Sequence, residues 1–217
     1  MRLLTDSKKN GSLLTYEGEG CMKKIKLRGG ALLAPLPPVM VSCGSLQQPN
    51  ILTVAWTGIL NTVPPKTYIA VRPRRHSHHI IKETGEFVLN LTPASLVRAA
   101  DFCGMYTGAK VDKFKKCNLT PVAADEVSVP MIGECPLSLC CKVTAVQEMG
   151  SHDLFFADIV AVYADENLMD EKGKLHLERA DLCAYAHGEY FALGKRIGTF
   201  GFSAAKKKKR PSGQKGR

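Results

Sequence analysis

Three clusters of residues carry side chains suited to holding a ligand. The first is Asn50-Ile51-Leu52-Thr53-Val54-Ala55-Trp56, with the single tryptophan of the chain at the end of an apolar run. An indole offers a flat apolar face to a ring and one N–H to a polar atom, but large aromatics fill cores equally well. The second is Arg72-Pro73-Arg74-Arg75-His76-Ser77-His78-His79. A metal site would use its three histidines, yet no cysteine or carboxylate adjoins them to complete a ligand set. A solvated turn is the plain reading. An anion cradle is the stronger one: arginines and a helix N-terminus capped by Ser77 would both donate to a phosphate. The third is the basic run Thr107 to Lys116, read as a loop with an embedded Phe114. Such runs usually face water, but Lys113, between Asp112 and Phe114, is placed to turn inward. His152, in the turn Met149-Gly150-Ser151-His152-Asp153, matters only if the three clusters converge.

Several familiar chemistries are missing. Gly194-Lys195 has no glycine five residues upstream and is followed by Arg196, so it is not a P-loop. No G-x-G-x-x-G follows a strand, and no G-x-S-x-G nucleophile turn is present. Eight cysteines occur without any C-x-x-C, which argues against zinc-finger and thioredoxin-type sites. Leu3 and Leu4 are followed at once by Asp6, Lys8 and Lys9, unlike a secretory leader. Free thiols in a reducing cytoplasm are the expectation.

The elements that must position these clusters read mainly as strands. Residues 39–43, 50–56, 67–71 and 86–91 are short, β-branched or aromatic, and bounded by Pro, Gly or Asn. Residues 137–145 alternate in polarity and pair across the turn at 149–153 with 154–164, a long hairpin. Helices are few. One starts with Ser77 as cap and ends at Gly85; another has Pro93 in its first turn, with Leu96, Val97, Ala100 and Cys103 at helical spacing. Hairpins without βαβ units point to a closed or nearly closed antiparallel barrel with helices at its edges.

Composition sets the outer bounds. The chain has 217 residues, 45% hydrophobic and 23% charged, enough for one domain of ordinary globular make-up. Of the net charge of +10, seven charges lie after Ala205, leaving a body of only +3. No charge occurs between Arg28 and Lys66, but six prolines, two glutamines and two asparagines interrupt that stretch, so burial in protein is expected rather than a membrane span. The expected organisation is an extension over residues 1–21, a folded domain over 22–203 and a Lys-rich tail over 204–217.

Taken in series, the motifs resemble the flavin reductase-like family, the FMN-binding split barrels, and within it the flavoredoxins. The matching pieces are Pro37-Pro38-Val39 with Val41-Ser42-Cys43, Asn50-Ile51-x-Thr53-Val54-Ala55-Trp56 with Gly58, and Arg72-Pro73-x-Arg75-x-Ser77. Gly85-Glu86-Phe87-Val88-x-Asn90, Asp101-x-Cys103-Gly104, Asp112-Lys113-Phe114, Gly150-x-His152-Asp153 and Phe200-Gly201 follow in order. The resemblance implies an antiparallel six-stranded Greek-key split β-barrel with a few short helices, acting as a homodimer with one FMN per subunit. It implies Asn50 and Trp56 as contacts to the ring and polar chain, with the backbone of Thr53, Val54 and Ala55 facing the ring. Arg72, Arg75 and Ser77 would hold the phosphate and ribityl side, Lys113 a phosphate or ring carbonyl, and His152 a further polar atom. Tyr185 falls where the family often has an aromatic. No metal ligand and no covalent catalyst is implied.

The function expected from this resemblance is an FMN-dependent oxidoreductase that takes electrons from NAD(P)H, bound transiently, and passes them to free flavin or to a redox partner protein. A flavoredoxin-type electron carrier is the near variant. A non-enzymatic nucleic-acid binder is the alternative from the basic tail, disfavoured because the charge is confined there and no helix-turn-helix, RRM or zinc module appears.

Overall fold

The computed structural model describes residues 24–204 and the strand Thr15–Tyr16. The remaining part of the expected 1–21 extension and the tail from residue 205 lie outside the described residues. The chain divides into two units, Met1–Ala34 and Pro35–Arg217. In the first, Thr15–Tyr16 pairs antiparallel with Lys24–Ile25.

The second unit is mainly β. Its strands are β1 (Val39–Gly44), β2 (Pro49–Val54), β3 (Thr57–Thr62), β4 (Pro65–Val71), β5 (Glu86–Leu91), β6 (Leu137–Glu148) and β7 (Asp153–Ala164). They form one antiparallel sheet in the order β2-β1-β5-β6-β7-β4-β3. Hairpins account for β1–β2, β3–β4 and β6–β7; β5 enters between β1 and β6 in Greek-key fashion. The sheet has seven strands rather than six. The strand not delineated in the sequence is β3, whose Ile59 and Leu60 are both exposed and so hide any alternation.

Side-chain alternation builds three cores from the same strands, the smallest around Val88, Val129 and Cys140. Val39, Val41, Leu52 and Val54 point into the barrel, where they meet Ile69 and Val71 of β4, Phe87 and Leu89 of β5, Cys141 of β6 and Phe155 of β7. That one cluster draws on both ends of the sheet, so the sheet wraps upon itself. The backbone N–H of Ala70 donates to the carbonyl of Trp56 at 3.0 Å, extending the β3–β4 ladder by one step. Met40 and Ile51, one residue out of phase, point the other way and pack with Ala100, Cys103 and Phe114 under the helices.

Helix α1 (His76–Thr84) plugs the barrel with Ile81, which is fully buried. It ends as expected at Gly85, left-handed at φ 68°, whose N–H donates to the Ile81 carbonyl. A Cβ at Gly85 would meet nothing within 4 Å, so Gly85→Ala should cost only its backbone strain, about 1 kcal/mol. Urea denaturation would register this as a lowered midpoint with an unchanged slope.

Three local expectations change. Ser77 is not the cap of α1: Arg75 is, with extended backbone and no side-chain cap bond. Ser77 lies inside the first turn because its hydroxyl is taken by Asn50. Pro93 stands just before a 3-10 turn, Ala94–Leu96, which leads into α2 (Val97–Met105). The basic run is no simple loop: Asp112 caps α3 (Lys113–Cys117) by accepting from the Lys115 N–H at 3.0 Å, while Phe114 is buried against α2.

The seven described cysteines are free. Among the described residues no helix is long and apolar enough to cross a membrane.

Candidate functional site

Where β2 leaves the ladder, Thr53, Val54, Ala55 and Trp56 form one wall of an open cavity of about 450 Å3. Thr53 is held in place by donating its hydroxyl to the Ala100 carbonyl of α2. The His152 ring lies against the Trp56 indole, centroids 4.5 Å apart and tilted by 44°. Burial and the Arg72 guanidinium hold His152 below the usual histidine pKa. Arg72 and Arg75 line one end, and Asp101, Gly104 and Met105 of α2 face the wall. The far side is the hairpin β8 (Cys183–Ala186) and β9 (Glu189–Ala192), which brings Tyr185 and Tyr190. Tyr185 is anchored by reciprocal backbone bonds with Leu36, each 2.8 Å.

A second chamber of about 370 Å3 adjoins the first, sharing Leu52, Arg75, Gly104 and Met105 in its lining. The two make one trough. The second chamber is strongly cationic: Arg74, Arg75, His76 and Lys113 line it, and no carboxylate does. Mutual repulsion follows. Burial and then the neighbouring Arg74 and Arg72 lower Arg75; burial, His79 and Lys113 lower His76.

Lys113 is 2% exposed. Its Nζ donates to the carbonyls of Ile51 at 2.6 Å and Cys103 at 2.8 Å, leaving one donor for the chamber. Burial pushes its pKa below the usual lysine value. Asn50 does not line either chamber but lies behind the wall, donating to the Ser77 hydroxyl at 2.7 Å.

The loop between α2 and α3 approaches Asn50 closely. A Cβ at Gly108 would stand 2.0 Å from Asn50 Oδ1 and 3.0 Å from the His76 ring. Gly108→Ala therefore must displace Asn50 or the loop, undoing the Asn50–Ser77 bond. We expect a loss of about 1–3 kcal/mol of stability, the cost of leaving a buried polar group without its partner, read as a lowered midpoint in thermal unfolding.

The family model described as "Flavin reductase like domain" matches residues 33–194. The chain belongs to the flavin reductase-like family. An uncharacterized protein of Archaeoglobus fulgidus is 34% identical over 140 residues, covering 64% of this chain and 78% of that one. The flavoredoxin of Desulfovibrio vulgaris (Miyazaki F) superposes with a TM-score of 0.78 at 30% identity, covering 85% of this chain and 100% of its own. The flavoredoxin of Methanosarcina acetivorans does so with a TM-score of 0.76 at 26% identity, over 84% and 99%.

In this flavin reductase-like chain the sequence-selected residues gather. Thr53, Val54, Ala55, Trp56, Arg72, Arg75, His152 and Tyr185 line the first chamber, and Ser77 and Lys113 the second. Two candidate histidines stay outside: His78 is buried with Nε2 2.8 Å from Asp153 Oδ2, and His79 is exposed. Among the described residues no group of three His, Cys, Asp or Glu side chains gathers to hold a metal ion. Sequence reasoning missed Tyr190 and Met105, and held Asp101 and Gly104 in a matching motif without giving them a place in the site. A signal for the hairpin was present: His187-Gly188, both at positive φ, is a two-residue turn between Tyr185 and Tyr190.

Proposed function

We propose that this protein binds FMN in the trough and works as a flavin-dependent oxidoreductase of the flavin reductase or flavoredoxin type. The single observation behind this reading is a trough of two adjoining chambers, one lined by cations and the other walled by aromatics.

The donor set fits the chemistry of FMN. A dianionic phosphate needs cations and hydrogen-bond donors, which Arg72, Arg75, Ser77 and the remaining Nζ–H of Lys113 would supply. A flat tricyclic ring needs an apolar slot, which the Thr53–Ala55 backbone, Trp56 and Tyr185 would provide, with Asn50 behind them. The chamber volumes lie in the ~300–1,000 Å3 typical of cofactor pockets. When bound, the flavin supplies the redox chemistry, and the chain supplies binding, orientation and charge.

The protein's own contributions are then definable. Trp56 and His152 shield one side of the slot from water. Lys113, fixed by two carbonyls, holds a positive charge in a low-dielectric setting, where it favours an added negative charge on the ligand. The trough remains open along one side, which suits transient entry of NAD(P)H as electron donor and of a free flavin or a redox partner protein as acceptor. Likeness to two flavoredoxins supports the carrier variant equally. The exposed apolar strand β3, with Ile59 63% and Leu60 48% exposed, supports a homodimer. We place the activity in the cytoplasm.

Inspection of the purified full chain tests the cofactor. A yellow preparation releasing FMN rather than FAD, or a colourless one that retains added FMN through desalting, is the expected result. A chain that neither carries nor takes up FMN refutes the proposal. Anaerobic mixing with NADH or NADPH then separates the two variants: rapid bleaching marks a reductase, and its absence a carrier.

A further inference from the structure

Helix α2 serves two cavities. Asp101, Gly104 and Met105 face the trough, whereas Arg98, Ala99 and Phe102 line a separate open cavity of about 640 Å3. Spacings of three and four put each set on its own stripe of the helix. The end of α3 completes this second cavity with Lys116, Cys117 and Asn118, and Asp101 borders both.

The cavity sets cations beside an aromatic face. Arg98 and Lys116 are exposed, and among the described residues no carboxylate pairs with either. Beside them the rings of Phe102 and Tyr106 stack at 4.3 Å and 27°, with Tyr106 52% exposed. Two uncompensated cations next to an accessible aromatic face match a purine attached to phosphates. The one acid, Asp101, lies at the border with the trough, where its Oδ1 accepts from the Tyr190 hydroxyl at 3.4 Å.

We infer that this cavity binds the adenosine-phosphate end of the pyridine nucleotide and selects the donor carrying a 2′-phosphate, NADPH over NADH. The assignment of the nucleotide as electron donor rests on the function proposed above; the affinity of the cavity for an adenosine phosphate does not. Arg98 and Lys116 together meet a phosphate dianion that NADH lacks. The shared border at Asp101 lets one extended dinucleotide reach from this cavity into the trough.

The test is calorimetric titration of the full chain, saturated with FMN, with 2′,5′-ADP and with 5′-AMP. We expect 2′,5′-ADP to bind at least tenfold tighter. Arg98→Ala/Lys116→Ala should weaken 2′,5′-ADP at least tenfold and leave FMN affinity unchanged. Cys117 is the one described cysteine that is not buried, so bound 2′,5′-ADP should also slow its labelling by a maleimide, read by peptide mapping. Equal affinity for the two nucleotides, or indifference to the double substitution, overturns the inference. If the chain takes no FMN, the proposed function fails separately. The same titration then runs on the protein as purified, with Arg75→Ala as control: binding lost in that variant and kept in the double one assigns the nucleotide to the trough and overturns the inference.

Discussion

Lys113→Met is expected to weaken FMN binding by about ten- to a hundredfold, the worth of one charge-assisted hydrogen bond to an anion in a partly dry site. Methionine keeps the length of the aliphatic stem, so α3 and the Phe114 packing should survive. What goes is the ammonium shared by the Ile51 and Cys103 carbonyls. Fluorescence quenching of FMN on titration reads the affinity, and unchanged affinity would remove Lys113 from the site.

A second readout separates charge from shape. The Lys113 pKa is depressed in the folded chain, with burial the main cause. Between that depressed value and the ordinary lysine value, the unfolded chain holds the proton more tightly, so this group makes folding stability rise with pH. The methionine variant lacks this contribution. The stability of the wild type relative to the variant should therefore grow as pH is raised through that window, measured by urea denaturation at matched pH. A difference that is flat with pH would mean that Lys113 is not desolvated.

Asn90→Ala should destabilise the fold by about 3–5 kcal/mol, much of the ~5–15 kcal/mol available to a domain. Asn90 is fully buried where three strands meet the loop before residue 132. Its amide nitrogen donates to the Met40 carbonyl and the Ser42 hydroxyl, each at 2.9 Å. Its Oδ1 accepts from the Ile132 N–H at 3.0 Å and the Ser138 hydroxyl at 2.8 Å. Alanine leaves those groups buried without partners, the costly side of hydrogen-bond energetics. Asn90→Asp should fare no better, because it keeps the acceptor but loses the donors and buries a charge. Urea denaturation of both variants gives the number; a loss below 1 kcal/mol would mean that water replaces the side chain.

The strands were legible because each carries a local signature. Val39–Gly44, Glu86–Leu91 and the hairpin Leu137–Glu148/Asp153–Ala164 are apolar, β-branched or alternating, with turn residues at their ends. β3 escaped notice because an exposed edge strand need not alternate. Ser77 and Arg75 line the cationic chamber, but Ser77 is no helix cap: a serine near a helix start reads as a cap whether or not a distant asparagine claims its hydroxyl. The run at 107–116 read as a loop with Lys113 turned inward; a charge count does not register that Asp112 starts a helix there, which is what pulls one of its four basic residues in.

Within short windows the sequence itself carried most of the strands and an antiparallel barrel, through periodicity and turn chemistry, while the ordered motifs carried the resemblance to the split barrels and the candidate residues it implies. Tertiary structure alone decided that Asn50 and Ser77 bond to each other, that Gly108 must lack a side chain, that His78 turns to Asp153 instead of to the trough, and that α2 divides two cavities. Those facts depend on contacts between residues 27 to 75 positions apart, and no local pattern encodes which of several polar neighbours a buried group will meet once the barrel closes.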